Sequence, residues 1–149
     1  MATVKPVVFR LNEGYYGIDI NKVIAIEQLG DVVPVPNAVD NVEGLINIRG
    51  DIIPVYNLKT KNKQKDEKSD EIRDYILVRC NESQIALSVD SVEDIQDETE
   101  YHKLPVICSD EENNYISGIV NRSGNLVIIV DVDKLLSVDE LKVLDKLKD

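Results

Sequence analysis

The second half of this chain repeats the first. Val7-Val8-Phe9-Arg10-Leu11-Asn12-Glu13 returns as Ile76-Leu77-Val78-Arg79-Cys80-Asn81-Glu82, with Arg79 lying 69 positions after Arg10. The same spacing carries Ile18-Asp19-Ile20 onto Leu87-Ser88-Val89, Val23 onto Val92, Ile26 onto Ile95 and Pro36 onto Pro105 without a gap. After a few extra residues around Ser109 to Asn114, the stretch from Gly44 to Ile53 returns as Gly118 to Val127, turn glycine on turn glycine. Two alternating segments can align through their apolar positions alone, but alternation does not require Arg, Asn, Glu, Pro and Gly to match as well. An internal duplication constrains the fold more than any other feature. It predicts two similar barrels of about five short strands each, superposing strand for strand and removing most exposed edges by closing on themselves.

Local patterns agree with a mostly β chain. Val7 to Asn12 and Tyr15 to Ile20 read as strands around a Glu13-Gly14 turn, and Val23-Ile24-Ala25-Ile26 extends the β character. Ile18 and Ile20 flank Asp19, giving one dry and one wet face. Gly44 to Leu58 contains two β-branched runs around Arg49-Gly50-Asp51, the pattern of a β-hairpin. Gly50 supplies a positive φ at no steric cost, and Pro54, which donates no hydrogen bond, confines its part of the strand to an edge or bulge. Asn37 to Val42 reads as one helical turn after the Pro34 and Pro36 loop.

The boundaries follow from composition. A first barrel covers about 7–58, a nearly all-polar linker 59–74 reads as solvated, a second barrel covers about 75–136, and a helix occupies 137–149. Ser137 with Glu140 forms a capping box, and Val138, Leu141, Leu144 and Leu147 form one apolar stripe. The formal charge of −11, with no strongly basic segment outside the mixed run near residue 60, argues against a nucleic-acid surface. The N-terminus lacks the apolar core of a signal peptide, and no run approaches the roughly 18 apolar residues of a membrane span. A cytoplasmic protein without direct membrane insertion is expected.

Chemistry finds little support. The single His102 lies in a polar loop, and Cys80, His102 and Cys108 offer at most three zinc ligands without a Cys-x-x-Cys pair. Asp131 and Asp133 lack the glycine and later glutamate of a calcium loop and read as a solvated strand end. Neither a GxGxxG nor a GxxxxGK[ST] phosphate loop is present. No catalytic residue, metal or cofactor is expected, and the chain is read as a non-enzyme. The competing class is a small ligand-binding or enzymatic β-barrel with a pocket lined by convergent polar groups.

Taken together, the residues resemble the CheW family of bacterial chemotaxis coupling proteins. The marks run through Tyr16-Gly17-Ile18-Asp19-Ile20 with Val23; Pro36; Gly44-Leu45-Ile46-Asn47-Ile48-Arg49-Gly50 with Ile53-Pro54-Val55 and Leu58; Val89-Asp90-Ser91-Val92; Gly118; and Val130 to Leu136. The resemblance implies two five-stranded SH3-like barrels around a shared apolar core. It also implies a non-catalytic adaptor, recruited to membrane-associated receptor arrays, that joins the cytoplasmic tips of chemoreceptors to the regulatory domain of the chemotaxis histidine kinase. On this reading Val23 and Ile85 wall an apolar groove for a helical receptor tip, with Ile26, Glu27 and Arg49 beside it. Arg49 is either a solvated turn cation or a directional contact to a partner carboxylate. Leu104 and Val106, either side of Pro105, form the expected kinase-facing patch. Two departures from the family pattern are Ala25, where an acidic residue is frequent and Glu27 stands nearby, and Ala86, where glycine is frequent.

Overall fold

The computed structural model describes residues 3–28, 32–36, 41–61, 73–109 and 113–136. The strands are β1 (Thr3–Val4), β2 (Pro6–Leu11), β3 (Gly14–Asp19), β4 (Val23–Glu27), β5 (Val42–Ile48), β6 (Asp51–Asn57), β7 (Asp74–Cys80), β8 (Ser83–Val89), β9 (Ser91–Ile95), β10 (Thr99–Glu100), β11 (Ile116–Arg122) and β12 (Asn125–Val130). The β5–β6 hairpin turns at Arg49 and Gly50, with φ of 54° and 90°, and the β11–β12 hairpin at Ser123 and Gly124, with φ of 50° and 91°. Positive φ at both central residues is the type I′ turn, whose twist matches that of the strands it joins. An asparagine holds each turn in the same way: Gly50 N donates to Asn47 Oδ1 at 2.9 Å and Gly124 N to Asn121 Oδ1 at 3.0 Å.

The two five-stranded sheets run β4-β7-β8-β6-β5 and β11-β12-β3-β2-β9. Neither sheet consists of one repeat, so the expected division into a barrel at 7–58 and another at 75–136 is corrected. The first sheet takes β4, β5 and β6 from repeat one and β7 and β8 from repeat two, and the second sheet mirrors this exchange. The duplication itself is visible in the registers. Val23 pairs with Val78 as Val92 pairs with Phe9, and Tyr56 pairs with Leu87 as Val130 pairs with Ile18. Both sheets carry a bulge at matching places, between Val42 and Gly44 and between Ile116 and Gly118. The joins between hairpins, β6 with β8 and β12 with β3, are parallel. Parallel partners need a long crossover, and passing through the other repeat provides it.

Exchange creates the shared core. Ile76, Val78 and Cys80 face a central cluster with Phe9, Leu11, Tyr16, Ile18, Tyr56, Leu58, Ile85 and Leu87, while Tyr75 and Leu77 face the interior of the first barrel with Ile46, Ile48, Ile53, Val55 and Ala86. β7 is therefore buried on both faces, which explains its unbroken apolar run. Val4, Val8, Val120, Val127 and Ile129 fill the second barrel. Pro54 lies on β6, inside the sheet, but the β8 ladder begins only at Val55, so its missing N–H interrupts no bond to β8.

The charged connection is ordered at both ends, against the expectation of a solvated linker over 59–74. Leu58–Lys61 forms a short helical turn in which Lys59 is 2% exposed, its ammonium 2.5 Å from Asp90. At the other end Asp74 is buried, accepting from Val92 N at 2.7 Å and Gln28 Nε2 at 2.8 Å, and Arg73 pairs with Glu43 at 2.9 Å. Each buried charge has a partner, the condition under which ionic groups enter an interior. Residues 62–72, the helix expected at 137–149, and positions 37–40 of the expected turn lie outside the described residues; Val42 begins β5.

Candidate interaction surfaces

Alternation along β4 decides what that edge strand presents. Val23 packs against the shared core and Ala25 against the interior of the first barrel, leaving Ile24 at 45% and Ile26 at 41% exposure on the outer side. The fold brings the β5–β6 turn to this edge: Arg49 Nη2 lies 2.6 Å from Glu27 Oε1. Since β4 and β5 are the two edges of the first sheet, the pair bridges its open seam. Ile52, just past the turn, is 70% exposed. Ile26, Glu27 and Arg49 thus share one region, and Ile24 and Ile52 extend it.

Ile85 does not belong there. At 1% exposure it is fully buried in the shared core, so it packs the interior and walls no accessible groove. The reason is the exchange of hairpins, which places β8 in the middle of the first sheet. Leu104 is half-buried, and Val106 stands on a 3-10 turn over Val106–Cys108 at 89% exposure, beside Ile107 at 95%. Ile107 escapes the sequence reading; its signal is a short apolar pair after Pro105 with no strand or helix to bury it. This segment adjoins the second sheet, where His102 bridges Ile119.

The second sheet closes its seam with Arg122 of β11 and Asp94 of β9, 2.8 Å apart. The guanidinium groups of Arg10 and Arg122 lie 5.1 and 5.7 Å from the ring centre of Tyr15, a doubled cation–π contact. Asp94 and the neighbouring charges hold Arg122 firmly protonated.

The polar cleft that tests the ligand-binding alternative has a volume of about 230 Å³ and includes Asp19, Lys22, Tyr101, Asp131 and Asp133. Its charges engage one another. Lys22 Nζ donates to Asp133 Oδ2 at 2.8 Å, a bond that holds the lysine above its ordinary range and, with the Asn81 N–H, holds the Asp133 carboxyl below its own. Asp131 caps a 3-10 turn over Val132–Lys134 through Asp133 N. Cys80 Sγ donates to Val132 O at 2.9 Å inside the core, while Cys108 is exposed. Among the described residues no group of three or more His, Cys, Asp or Glu side chains is arranged to hold a metal.

Two interlocked barrels with exposed apolar side chains beside a charged turn define a β-barrel interaction module. The model of the CheW-like domain family matches residues 5–140. The chemotaxis protein CheW of Treponema pallidum (strain Nichols) is 31% identical over 147 residues, covering 95% of this chain and 86% of that protein. That of Thermotoga maritima is 31% identical over 129 residues, covering 86% and 84%. The crystal structure of scaffolding protein TtCheW from Thermoanaerobacter tengcongensis superposes with a TM-score of 0.82 at 27% identity, covering 94% of this chain and 92% of that one. This chain belongs to the CheW-like domain family.

Proposed function

We propose that this protein is a non-catalytic adaptor of bacterial chemotaxis that couples the cytoplasmic tips of chemoreceptors to the regulatory domain of the chemotaxis histidine kinase. The observation that carries the reading is the family match from residue 5 to 140, supported by chemotaxis relatives and a scaffolding structural neighbour. The receptor tip docks on the first-sheet region of Ile26, Glu27 and Arg49 together with Ile24 and Ile52, and Val23 supports β4 from beneath. A helix laid along this edge buries the isoleucines and offers a carboxylate to Arg49. The kinase docks on the segment of Leu104, Val106 and Ile107. The protein acts in the cytoplasm, held at receptor arrays by these contacts; no helix among the described residues is long and apolar enough to cross a membrane.

Calorimetric titration of the purified chain with a receptor-tip fragment and with the kinase regulatory domain tests the proposal. Saturable binding to both is expected. Absence of binding to either partner removes the coupling role.

A further inference from the structure

Two ion pairs of opposite sense close the two junctions between the repeats, at equivalent positions on one side and one residue out of register on the other. Lys59, just after β6, meets Asp90, just after β8, with Nζ and Oδ1 2.5 Å apart. Asp133 occupies the place of Lys59 in the other repeat, since it follows Gly118 by the same interval at which Lys59 follows Gly44. It meets Lys22 at 2.8 Å; Lys22 ends the 3-10 turn Ile20–Lys22 that follows β3, one position beyond Asn21, the residue that matches Asp90 at the 69-residue spacing. Each carboxylate also caps a hairpin turn of positive φ: Asp90 Oδ2 accepts from Asn12 N at 2.6 Å and Asp133 Oδ1 from Asn81 N at 3.2 Å. Asn12 and Asn81 are themselves equivalent, 69 positions apart.

Every junction between hairpins joins one repeat to the other. The backbones of the repeats are nearly interchangeable, so a repeat could pair with a second copy of itself on another chain. We infer that the inverted pairs are a matching code by which each repeat accepts the other and rejects its own copy. In a pairing of repeat one with itself, Lys59 replaces Asp133 opposite Lys22, and neither turn finds its capping carboxylate. In a pairing of repeat two with itself, Asp133 replaces Lys59 opposite Asp90. Native pairing gives two attractions; each homotypic pairing gives like charges at both junctions, and one of the two sites is almost fully buried, where an unmatched charge is most unfavourable. A chain has one copy of each repeat, so homotypic pairing requires two chains and yields oligomers.

The test exchanges the exposed pair in the full chain. Lys22→Asp with Asp133→Lys keeps a native attraction but makes both homotypic pairings attractive, because each then sets an ammonium against a carboxylate at both junctions. After unfolding and refolding at high concentration, light scattering on the size-exclusion eluate should show the oligomer fraction rising severalfold over the wild-type chain. Adding Lys59→Asp and Asp90→Lys restores the inversion with all signs reversed and should return the fraction towards wild type. If the double exchange does not refold, the milder Lys22→Gln with Asp133→Asn carries the test, and its oligomer fraction should still exceed wild type. An unchanged fraction in the refolding variant, or a quadruple variant that folds and remains as oligomeric as the double exchange, overturns the inference.

Discussion

The edge strands β4 and β9 occupy equivalent places in the two sheets. Each pairs with one partner at the same register and through the same bulge, yet each shows the outside a different surface. Ile26 is matched by Ile95 and Ile52 by Leu126, all strongly exposed, whereas Ile24 and Ala25 are matched by Glu93 and Asp94. Charged side chains on an edge discourage pairing with other strands, while an apolar edge invites a partner. The backbone of the repeat was kept and its surfaces diverged: an apolar edge at β4, where we propose docking, and at β9 a charged edge tied to Arg122. Because the core is common to both sheets, it cannot diverge in the same way.

The largest effect is expected from that common core. Ile85→Ala should lower unfolding stability by about 2–4 kcal/mol, the usual range for deleting a buried aliphatic side chain, while the folded fraction keeps its affinity for both partners. A denaturant melt beside calorimetry decides it; reduced affinity at unchanged stability would restore Ile85 to the docking surface. Next come the two seam arginines. Arg49→Glu places two carboxylates together at the β4 edge and should weaken binding of the receptor-tip fragment by about 2 kcal/mol, roughly thirtyfold, with a small drop in melting temperature. Arg122→Glu opens the other seam and should leave that affinity within about twofold. Equal losses from both would mean that closing the barrels, rather than a docking contact, is what the arginines supply.

Replacing one exposed isoleucine is a gentler intervention. Ile24→Glu gives β4 the residue that β9 carries and should cost about 1 kcal/mol of receptor-tip affinity with stability changed by no more than about 0.5 kcal/mol. Binding as tight as wild type would exclude Ile24 from the contact. The smallest effect belongs to the half-exposed Lys22–Asp133 pair. The Asp133 carboxyl is held low by Lys22, so its contribution is present above the ordinary carboxylate range and is lost as acid protonates it, below about pH 4. Lys22 is held high by Asp133, so its contribution persists up to the ordinary lysine range and disappears as pH rises further, above about pH 10. With solvent screening both losses stay near about 0.5 kcal/mol or less. Comparing the pH dependence of stability for wild type and Lys22→Gln should show curves that converge at both extremes; parallel curves would show that the pair contributes nothing.

Much of this protein is determined by short-range chemistry that a sequence carries openly. Period-two apolar runs set the strands, Asn-x-x-Gly patterns set the type I′ turns, and matched polar residues reveal the duplication. Arg49 stands out for the same reason, as a charge fixed by a constrained turn. Only the tertiary structure decides which of two near-identical hairpins pairs with which. Either repeat satisfies the same alternation, and the choice rests on crossover length, burial of both faces of β7 and β8, and charges far apart in the chain. That choice buries Ile85, draws Lys59 and Asp74 out of an apparent linker into the interior, and seats Glu27 beside Arg49. Local periodicity is blind to these outcomes because each depends on a contact between elements whose separation along the chain leaves no mark on the residues between them.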